Sequence, residues 1–473
     1  MISPLLTDLY QLTMAYGYWK LNMHEREAVF QLTFRNNPFR GSYALACGLA
    51  TAVDFIQNWR LTPEDLHYLR QLKTQDDQPL FAPAFLEYLS ELRLSVDVDA
   101  MLEGTVVFAQ EPLLRVRGPL LQAQLLESTL LNILNFQTLI ATKAARVCQA
   151  AQGDPVLEFG LRRAQGPDGA VSASRAAYIG GCVATSNVLA GKLYDIPVRG
   201  THAHSWVSAF TDEMQAFTAY AEVMPHNCVL LVDTYDTLKG VEHAIAIGKI
   251  LRAHGRELLG IRLDSGDLAV LSKKARALLD AAGFAATQIV ASNALDEASI
   301  TALKAANAPI AIWGVGTSLV TAFDQPALDG VYKLSALRDA NGAWNYKIKL
   351  SEQAIKISNP GLHQVRRFYH QGKMLADVMY DLEHGIPSEP HLHLLDEPEV
   401  TRTIVSYDHY EDLLQPVIRN GHSVQEATTI HATRDKAQQA VQQFVAAYPT
   451  SNYTVGLESG LHQLKQQMIS ELS

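Results

Sequence analysis

Cysteine is scarce in this sequence, and the cysteines present are not placed to act together. The 473-residue chain has four, Cys47, Cys148, Cys182 and Cys228, with no CxxC pair among them. Such wide spacing argues against a disulfide framework and against a cysteine-ligated zinc site. Reduced, buried thiols are typical of cytoplasmic proteins, so we expect a cytoplasmic location.

Positive charge is also in short supply. Lysine and arginine total 39 against 49 aspartates and glutamates, which gives a formal net charge of -10. A chain of this charge is unsuited to nucleic acid or to an anionic membrane as its main partner. A small phosphorylated substrate is still compatible, because a phosphate site needs only a local cluster of Arg, Lys and backbone N–H groups.

Long apolar runs are missing as well. The most apolar long stretch, Leu120–Ile140, is interrupted by one acidic residue and five amides, so we predict a core helix there rather than a membrane span. No basic region or cleavage site precedes the segment LLTDLYQLTMAYGYW near the start, and no signal peptide is expected. No solenoid repeat or low-complexity segment is present.

The N-terminal and C-terminal parts of the chain share a strand-like sequence pattern. Period-two alternation at Leu92–Asp99 and Leu114–Arg117 predicts strands with one wet face. A similar strand-like pattern occurs at Tyr332–Ser335, Tyr346–Leu350 and Val365–Tyr369. We therefore predict an antiparallel sheet that begins in the N-terminal part and is completed by the C-terminal part.

The middle of the chain alternates short apolar runs with helical patterns such as Asp267–Ala282 and Asp296–Ala306. Strand and helix alternating in this way predict a parallel α/β barrel or a doubly wound sheet. The apolar runs are Val156–Phe159, Ile196–Val198, Val229–Val232, Leu258–Leu263, Ile289–Ala291 and Ile310–Trp313.

These sequence patterns predict three structural regions of the chain. Residues 1–130 together with 330–432 should form an α+β sandwich domain. Residues 131–329 should form an α/β barrel, and residues 433–473 a helical tail. The barrel is the expected catalytic domain, because each of its apolar runs ends in unusual polar residues and the C-terminal strand ends of such barrels carry the chemistry.

Two of these strand ends could bind phosphate. Gly314-Val-Gly-Thr317 offers backbone N–H groups that phosphate oxygens can approach, or else a plain tight turn. Arg262 and Asp264 lie on one side of an extended chain. Either they hold a phosphate and a ribose, or they form an ion pair ahead of a helix N-cap at Asp267. A charged pair in this layer is costly unless it is used, which favours function.

Two other strand ends carry histidine or arginine. His202 and His204 would share one strand face, so a metal pair is conceivable, but a single reactive imidazole polarised by Asp233 fits better. Arg162 and Arg163 could clamp an anion while the preceding phenylalanine stacks on a flat ring. The alternative for the arginines is a salt bridge at the strand end.

Ten segments, taken in order, resemble the nicotinate phosphoribosyltransferase family. The first is LLTDLYQLTMAYGYW and the last is KISNPG, where the family commonly has KITNPG, and the resemblance covers most of residues 5–361. The others are FRNNPF, EFGLRRAQGPDG, SNVLAG, GTHAHSW, VDTYDT, GIRLDSGDL, ASNALDE and IWGVGTSLV.

The resemblance implies a type II phosphoribosyltransferase fold, an irregular α/β barrel packed with an open-faced sandwich. It implies a homodimer with shared active sites, acting on nicotinate, phosphoribosyl pyrophosphate and ATP in NAD biosynthesis. Mg²⁺ would arrive with the phosphates, so no metal site made only of protein ligands is expected.

The resemblance also implies residue roles. His204 would be phosphorylated by ATP, Asp233 would orient it, and Asp264 would lie near the ribose. Tyr10 would enter the partner's pocket and stack the pyridine ring against Phe159. The remaining substrate- and phosphate-binding positions would be Arg162, Arg163, Ser186, Ser205, Arg262, Arg35, Gly314, Gly316, Thr317, Lys347 and Lys349.

Three alternatives remain. A nicotinamide phosphoribosyltransferase would have an aspartate at Ser186, where an acid would repel a carboxylate substrate by about 4 kcal/mol at an effective dielectric of 20. A metal-dependent barrel hydrolase would use His202, His204 and Asp233. A non-catalytic relative would have lost His204 or Asp264, and both are present.

Overall fold

The computed structural model describes residues 2–426, 428–449 and 453–472. It contains two compact units, each assembled from separate stretches of chain. Unit 1 comprises Met1–Leu139, Ala327–Thr429 and Gln439–Ser473, and unit 2 comprises Ile140–Pro326 and Ile430–Gln438.

The strands fall into two large sheets in unit 1, one in unit 2, and a two-stranded ribbon. In chain order they are β1 Glu27–Phe34, β2 Ala44–Leu45, β3 Asp97–Met101, β4 Val106–Val107, β5 Pro112–Pro119, β6 Val156–Glu158, β7 Ala184–Thr185, β8 Val229–Leu231, β9 Gly260–Leu263, β10 Gln288–Ala291, β11 Ile312–Val315, β12 Gly330–Arg338, β13 Trp344–Tyr346, β14 His363–His370, β15 Lys373–Asp381, β16 His391–Leu394, β17 Thr401–Thr403, β18 His409–Asp412, β19 Leu414–Arg419, β20 His422–Ser423 and β21 Thr454–Glu458.

The helices range from a single turn to the long α6. In chain order they are α1 Leu9–Lys20, α2 Leu49–Gln57, α3 Pro63–Gln71, α4 Pro83–Glu91, α5 Leu120–Leu125, α6 Glu127–Ala150, α7 Pro167–Ile179, α8 Val188–Tyr194, α9 His204–Ser208, α10 Glu213–Val223, α11 Thr237–Ala253, α12 Leu268–Ala281, α13 Glu297–Ala305, α14 Thr317–Val320, α15 Ile430–Ala447 and α16 Ser459–Leu472, with 3₁₀ turns at Pro38–Arg40, Leu161–Arg163 and Ala354–Lys356.

Unit 2 is built on a parallel sheet in the order β7-β6-β11-β10-β9-β8. Five of the six predicted apolar runs supply its strands, which confirms the α/β prediction. The sixth run, Ile196–Val198, forms only a single bridge between Val198 and Thr185. All strands of a parallel sheet point the same way, so the polar segments that follow them lie at one edge.

The helices of unit 2 begin where side chains cap their free N–H groups. Asp267 accepts from two backbone N–H groups at the start of α12, and Asp296 forms a capping box with Ser299 at the start of α13. Asp236 caps α11 in the same way. Because each cap follows a strand closely, these aspartates fix where the chain turns back toward the next strand.

Unit 1 contains a seven-stranded antiparallel sheet in the order β13-β12-β1-β5-β3-β19-β20. The pairing of β1 with β12 confirms that the C-terminal part completes the N-terminal sheet. The strand at Leu92–Asp99 starts only at Asp97, and that at Tyr346–Leu350 ends at Tyr346. The second sheet runs β17-β16-β21-β15-β14-β18.

The expected domain boundaries differ from the observed units. Helix α6 passes from unit 1 into unit 2 without a break, so no linker marks position 131. The predicted helical tail, residues 433–473, is not a separate region. It contains β21, which pairs with β15 and β16 inside the second sheet. A five-residue strand between two helices is too short to produce a clear periodic signal.

No helix in the described residues is long and apolar enough to span a bilayer.

Candidate functional site

Arg262 and Asp264 are joined at the end of β9. The guanidinium donates from Nη2 to Asp264 Oδ1 at 3.0 Å, from Nε to Ser292 Oγ at 2.8 Å and from Nη1 to Thr201 Oγ1 at 3.0 Å. Ser292 also donates to Asp264 Oδ1. The predicted pair therefore exists, and two of the five guanidinium N–H bonds remain for a ligand.

The carboxylate of Asp264 is held in its ionised form. Burial by itself raises the pKa of Asp264, but the hydrogen bond from Ser292 and the charge and hydrogen bond of Arg262 outweigh burial and lower the pKa below its usual value. Asp267 meanwhile serves as the N-cap of α12. The site thus contains a fixed anion beside a fixed cation.

His204 begins the short helix α9, and its side chain is 44% exposed. Its Nδ1 lies 3.1 Å from the Thr234 hydroxyl, and its Nε2 lies 3.6 Å from Asp264 Oδ2. The contact expected from Asp233 is made instead by Thr234, the next residue along the chain. A hydroxyl therefore holds one ring nitrogen, and the other faces the Asp264 carboxylate.

Asp233 has a different set of partners. Its Oδ2 accepts the Asp264 backbone N–H and the Ser265 hydroxyl, both at 2.7 Å. Its Oδ1 is buried with no hydrogen-bond partner within the described structure. Asp233 therefore fixes the loop after β9 and keeps one carboxylate oxygen unused.

His202 does not form a metal pair with His204. It is buried, its Nε2 accepts the Leu231 N–H at 3.1 Å, and its ring meets Tyr220 edge to face. Burial lowers the pKa of His202 to about 4, so the ring is neutral at physiological pH. Among the described residues, no group of three or more His, Cys, Asp or Glu side chains is arranged to bind a metal ion.

The ring of Phe159 reaches the same strand ends. Its centroid is 5.7 Å from the Arg262 guanidinium carbon. A Cβ on Gly314 would come within 2.7 Å of the Phe159 ring, so Gly314 is glycine because that ring packs against it. Gly314 is buried within β11, whereas Gly316 and Thr317 follow the strand at its carboxyl end. Of the three predicted phosphate ligands in this motif, only Gly316 and Thr317 lie at the carboxyl edge of the sheet.

Four further predicted residues lie at neighbouring strand ends. Arg162 and Arg163 occupy the exposed 3₁₀ turn after β6, and neither side chain has an ion-pair partner within the described part of the chain. The predicted alternative, a salt bridge, is therefore not formed by these two arginines. Ser186 follows β7 and donates its backbone N–H to Glu158 O at 3.0 Å. Ser205 is exposed beside His204 in α9.

The remaining predicted residues belong to unit 1. Tyr10 projects from α1 and is 48% exposed. Arg35 is paired with Asp329 at 2.5 Å. Lys347 bonds to Asn345 through its ammonium group, and the exposed Lys349 bonds to Ser358 through its backbone N–H and its carbonyl.

Arg35 lines a pocket in unit 1 that Lys347 and Lys349 do not line. Two other lysines, Lys333 and Lys356, line it, and sequence reasoning assigned a binding role to neither. Three acceptor atoms of the lining are buried without a partner in the described structure, namely Gln31 Oε1, Asn359 Oδ1 and His363 Nδ1. Such a lining suits a ligand that carries both negative charge and hydrogen-bond donors.

Family models describe almost the whole chain. Models for the N-terminal domain of nicotinate phosphoribosyltransferase, the nicotinate phosphoribosyltransferase family and its C-terminal domain match residues 5–135, 155–358 and 362–465. A Bacillus subtilis protein named nicotinate phosphoribosyltransferase is 49% identical over 375 residues, which are 79% of this chain and 75% of the relative. A Mycobacterium tuberculosis nicotinate phosphoribosyltransferase is 42% identical over 441 residues, which are 93% of this chain and 87% of the relative.

The fold is also found in a solved structure. The crystal structure of human nicotinic acid phosphoribosyltransferase superposes with a TM-score of 0.85 at 31% identity, and the match covers 98% of this chain and 99% of the human one. A parallel α/β unit with charged strand ends, in a chain that also builds an antiparallel sheet and a mixed sheet, is the architecture expected of type II phosphoribosyltransferases. Within that class, the chain belongs to the nicotinate phosphoribosyltransferase family.

Proposed function

We propose that this protein joins nicotinate to phosphoribosyl pyrophosphate, releasing nicotinate mononucleotide and pyrophosphate, and couples the reaction to ATP hydrolysis through a phosphohistidine at His204. The reaction serves NAD biosynthesis from nicotinate by the Preiss–Handler route. The observation that carries the proposal is the meeting of His204, Asp264 and Arg262 at adjoining strand ends in a member of this family.

Asp264 suits the reacting carbon. Loss of pyrophosphate from C1 of the sugar builds positive charge, and the nicotinate ring nitrogen attacks that carbon without needing a general base. A carboxylate whose pKa is lowered stays ionised and stabilises the positive charge. Arg262, fixed by three hydrogen bonds, uses its free N–H groups to anchor a phosphate of the sugar donor.

His204 suits phosphoryl transfer. Because Thr234 engages Nδ1, Nε2 is the nitrogen left to receive the γ-phosphoryl group of ATP. ADP leaves, and hydrolysis of the phosphohistidine later returns the free imidazole and phosphate. Ser205, exposed next to His204, would donate a hydrogen bond to the transferred group.

Mg²⁺ would enter with ATP and phosphoribosyl pyrophosphate and neutralise their phosphate charge. The unpartnered carboxylate oxygen Asp233 Oδ1, next to the ionised Asp264, is the type of hard oxygen that suits this ion or its water ligands. In unit 1, the pocket formed around Arg35, Lys333 and Lys356 supports binding of phosphate groups. Gly316 and Thr317 supply further N–H groups, whereas contacts of Lys347 and Lys349 with pyrophosphate rest on family resemblance.

Nicotinate is favoured over nicotinamide by two features. Arg162 and Arg163 are exposed cations that can pair with a carboxylate, and the amide would leave that charge unpaired. Loss of such a charged hydrogen bond typically makes the amide about 10- to 150-fold poorer as a substrate than nicotinate. Ser186 adds a neutral side chain where an acid would repel nicotinate.

The protein is proposed to act as a cytoplasmic homodimer in which Tyr10 of one protomer stacks nicotinate against Phe159 of the other. Tyr10 is flanked on α1 by two more exposed apolar residues, Leu9 and Met14, at 55% and 41% exposure. Three exposed apolar side chains together on one helix suit contact with a second protein surface.

The function is tested by measuring conversion of labelled nicotinate with and without ATP, and conversion of nicotinamide under the same conditions. ATP-stimulated conversion of nicotinate, with a preference over nicotinamide of about tenfold or more, is expected. Equal use of both bases, or a preference for the amide, would contradict the substrate assignment.

The phosphohistidine is tested with γ-labelled ATP. His204→Ala should lose acid-labile, base-stable labelling and all stimulation by ATP. Thr234→Val, which keeps the imidazole but removes its hydroxyl partner, should label about tenfold more slowly. Thr234→Ser restores the hydroxyl and serves as its matched control. Undiminished labelling of His204→Ala would move the phosphoryl group to another residue.

A further inference from the structure

Glu158 ends β6 with its side chain fully buried, at 0% exposure. Its carboxylate accepts three hydrogen bonds. The Gly160 N–H donates to Oε1, and the hydroxyls of Ser174 and Thr185 donate to Oε2 at 2.8 and 2.5 Å. Hydrogen bonds to a charged acceptor are about twice as strong as neutral ones, so this carboxylate holds all three donors firmly.

The three donors come from three different elements of unit 2. Gly160 lies in the turn after β6, Ser174 lies in α7, and Thr185 ends β7. The Thr185 hydroxyl also accepts the Asn187 N–H at 2.9 Å, and the Asn187 amide donates to the Ser174 hydroxyl at 3.2 Å. These side chains form a closed network around one carboxylate.

The network borders the residues proposed to bind nicotinate. Phe159 lies between Glu158 and Gly160, and the turn that follows carries Arg162 and Arg163. Ser186 donates its backbone N–H to the carbonyl of Glu158 at 3.0 Å. The Glu158 side chain thus holds the turn after Phe159, and its main-chain carbonyl holds Ser186.

The residues proposed to hold the sugar and its phosphates belong to a separate network. Arg262 and Asp264 are joined through Ser292 and Thr201. Within the described residues, no hydrogen bond links these four to Glu158, Ser174, Thr185 or Asn187.

We propose that Glu158 is a positioning residue that sets the nicotinate pocket through a hydrogen-bond network of its own, separate from the network that joins Arg262 to Asp264. The inference rests on the proposed function, because the base it positions is nicotinate. Glu158 touches no substrate. Its side chain acts by holding Gly160 in the turn that carries Phe159 and the arginines, and by holding Thr185, the residue before Ser186.

The test uses Thr185, because Thr185→Val loses the hydroxyl and Thr185→Ser retains it. Thr185→Val removes the donor to Glu158 together with the acceptor of the Asn187 N–H, with little change in volume, and should raise the KM for nicotinate about tenfold. Its KM for phosphoribosyl pyrophosphate should stay within about twofold. Thr185→Ser keeps the donor and should return the KM for nicotinate to within about threefold of the wild-type value.

Two further variants sharpen the comparison. Glu158→Gln replaces an acceptor oxygen with a donor and should shift the KM for nicotinate in the same direction, by at least as much. Ser292→Ala, in the other network, should do the reverse, raising the KM for phosphoribosyl pyrophosphate more than that for nicotinate. Circular dichroism melts verify that each variant is folded at the assay temperature.

The outcomes separate the two proposals. A wild-type protein that fails to convert nicotinate overturns the proposed function and this inference with it. An active wild type overturns only the role of Glu158 if Thr185→Val raises both KM values equally, or if Thr185→Ser fails to rescue. If Glu158→Gln does not fold, the Thr185 pair still decides.

Discussion

At the scale of single residues, unit 1 buries a group of charged side chains, Arg367, Asp377 and Glu111. Arg367 donates to both oxygens of Asp377, at 2.7 and 2.5 Å, and the Tyr453 hydroxyl donates to the same carboxylate at 2.7 Å. Glu111 is also fully buried, with Oε2 accepting the Phe108 N–H at 2.9 Å. One arginine therefore faces two carboxyl groups.

Glu111 avoids an excess of buried negative charge by remaining protonated. Burial raises the pKa of Glu111 well above its usual range, and the charge of Asp377 raises it further, although Arg367 lowers it. In its protonated form Oε1, which otherwise has no partner in the described structure, can donate to Asp377. The neutral acid is therefore the form that fits the folded protein.

Glu111→Gln should accordingly become more stable than the wild type as pH rises. Above the ordinary carboxyl pKa of about 4.3, the unfolded chain has lost the Glu111 proton while the native state still holds it. Wild-type stability therefore falls with rising pH up to the raised native pKa. Glutamine has no proton to lose, so the free energy of unfolding of the variant should rise steadily relative to wild type between pH 4 and pH 8, as read from urea unfolding.

Asp377→Asn is the contrasting variant. It removes the charge that Arg367 needs, so it should destabilise the protein by about 3–5 kcal/mol at neutral pH. A constant difference between Glu111→Gln and wild type across the pH range would show that Glu111 is ionised in the native protein.

At the scale of elements, β21 shows how a short late strand completes a sheet. It pairs parallel to β15 and antiparallel to β16, with Gly456 opposite Val378 on one side and Leu394 on the other. A Cβ on Gly456 would lie 2.4 Å from Leu392 Cδ1 and 2.6 Å from the carbonyl oxygen of His393. The side chain could move, but the carbonyl belongs to a paired strand.

Gly456→Ala should therefore destabilise unit 1. Overpacking of this kind costs about 1–3 kcal/mol, and the fixed carbonyl argues for the upper end. Gly17→Ala in α1 is the matched control, because nothing lies within 4 Å of its added Cβ. There, better helix propensity should give about 0.5–1 kcal/mol of stabilisation. Melting temperatures that shift in the same direction for both variants would contradict the packing argument.

At the scale of the whole molecule, the proposed catalyst is larger than one chain. Tyr10 lies in unit 1, and the charged strand ends lie in unit 2. If the proposed dimer brings Tyr10 of one protomer to Phe159 of its partner, each active site needs residues from two chains.

Hybrid dimers test this arrangement. Tyr10→Ala and His204→Ala should each be nearly inactive alone. After mixing and exchange, random pairing yields half hybrids with one intact site of two, so activity should recover to about a quarter of wild type. Mass spectrometry verifies exchange. Hybrid dimers that form without regaining activity would mean that each site is built from a single chain.

The sequence by itself determined the features that depend on local chemistry. Period-two alternation and short apolar runs located most strands, and Asp267 and Asp296 marked the helix starts at which they are found. The position of polar residues after apolar runs predicted that Arg262 and Asp264 would be neighbours, since side chains two apart on an extended segment share a face.

Only the tertiary structure decided which groups meet across different strands. Thr234, not Asp233, contacts His204. Gly314 lies within its strand, where the absence of a side chain leaves space for the Phe159 ring. Adjacent residues such as Asp233 and Thr234 point in different directions, and the choice between them depends on strand register and loop shape. Periodicity carries no such information, because it records only which residues face the core. The placement of β21 has the same cause, since its pairing partners lie far away in the sequence.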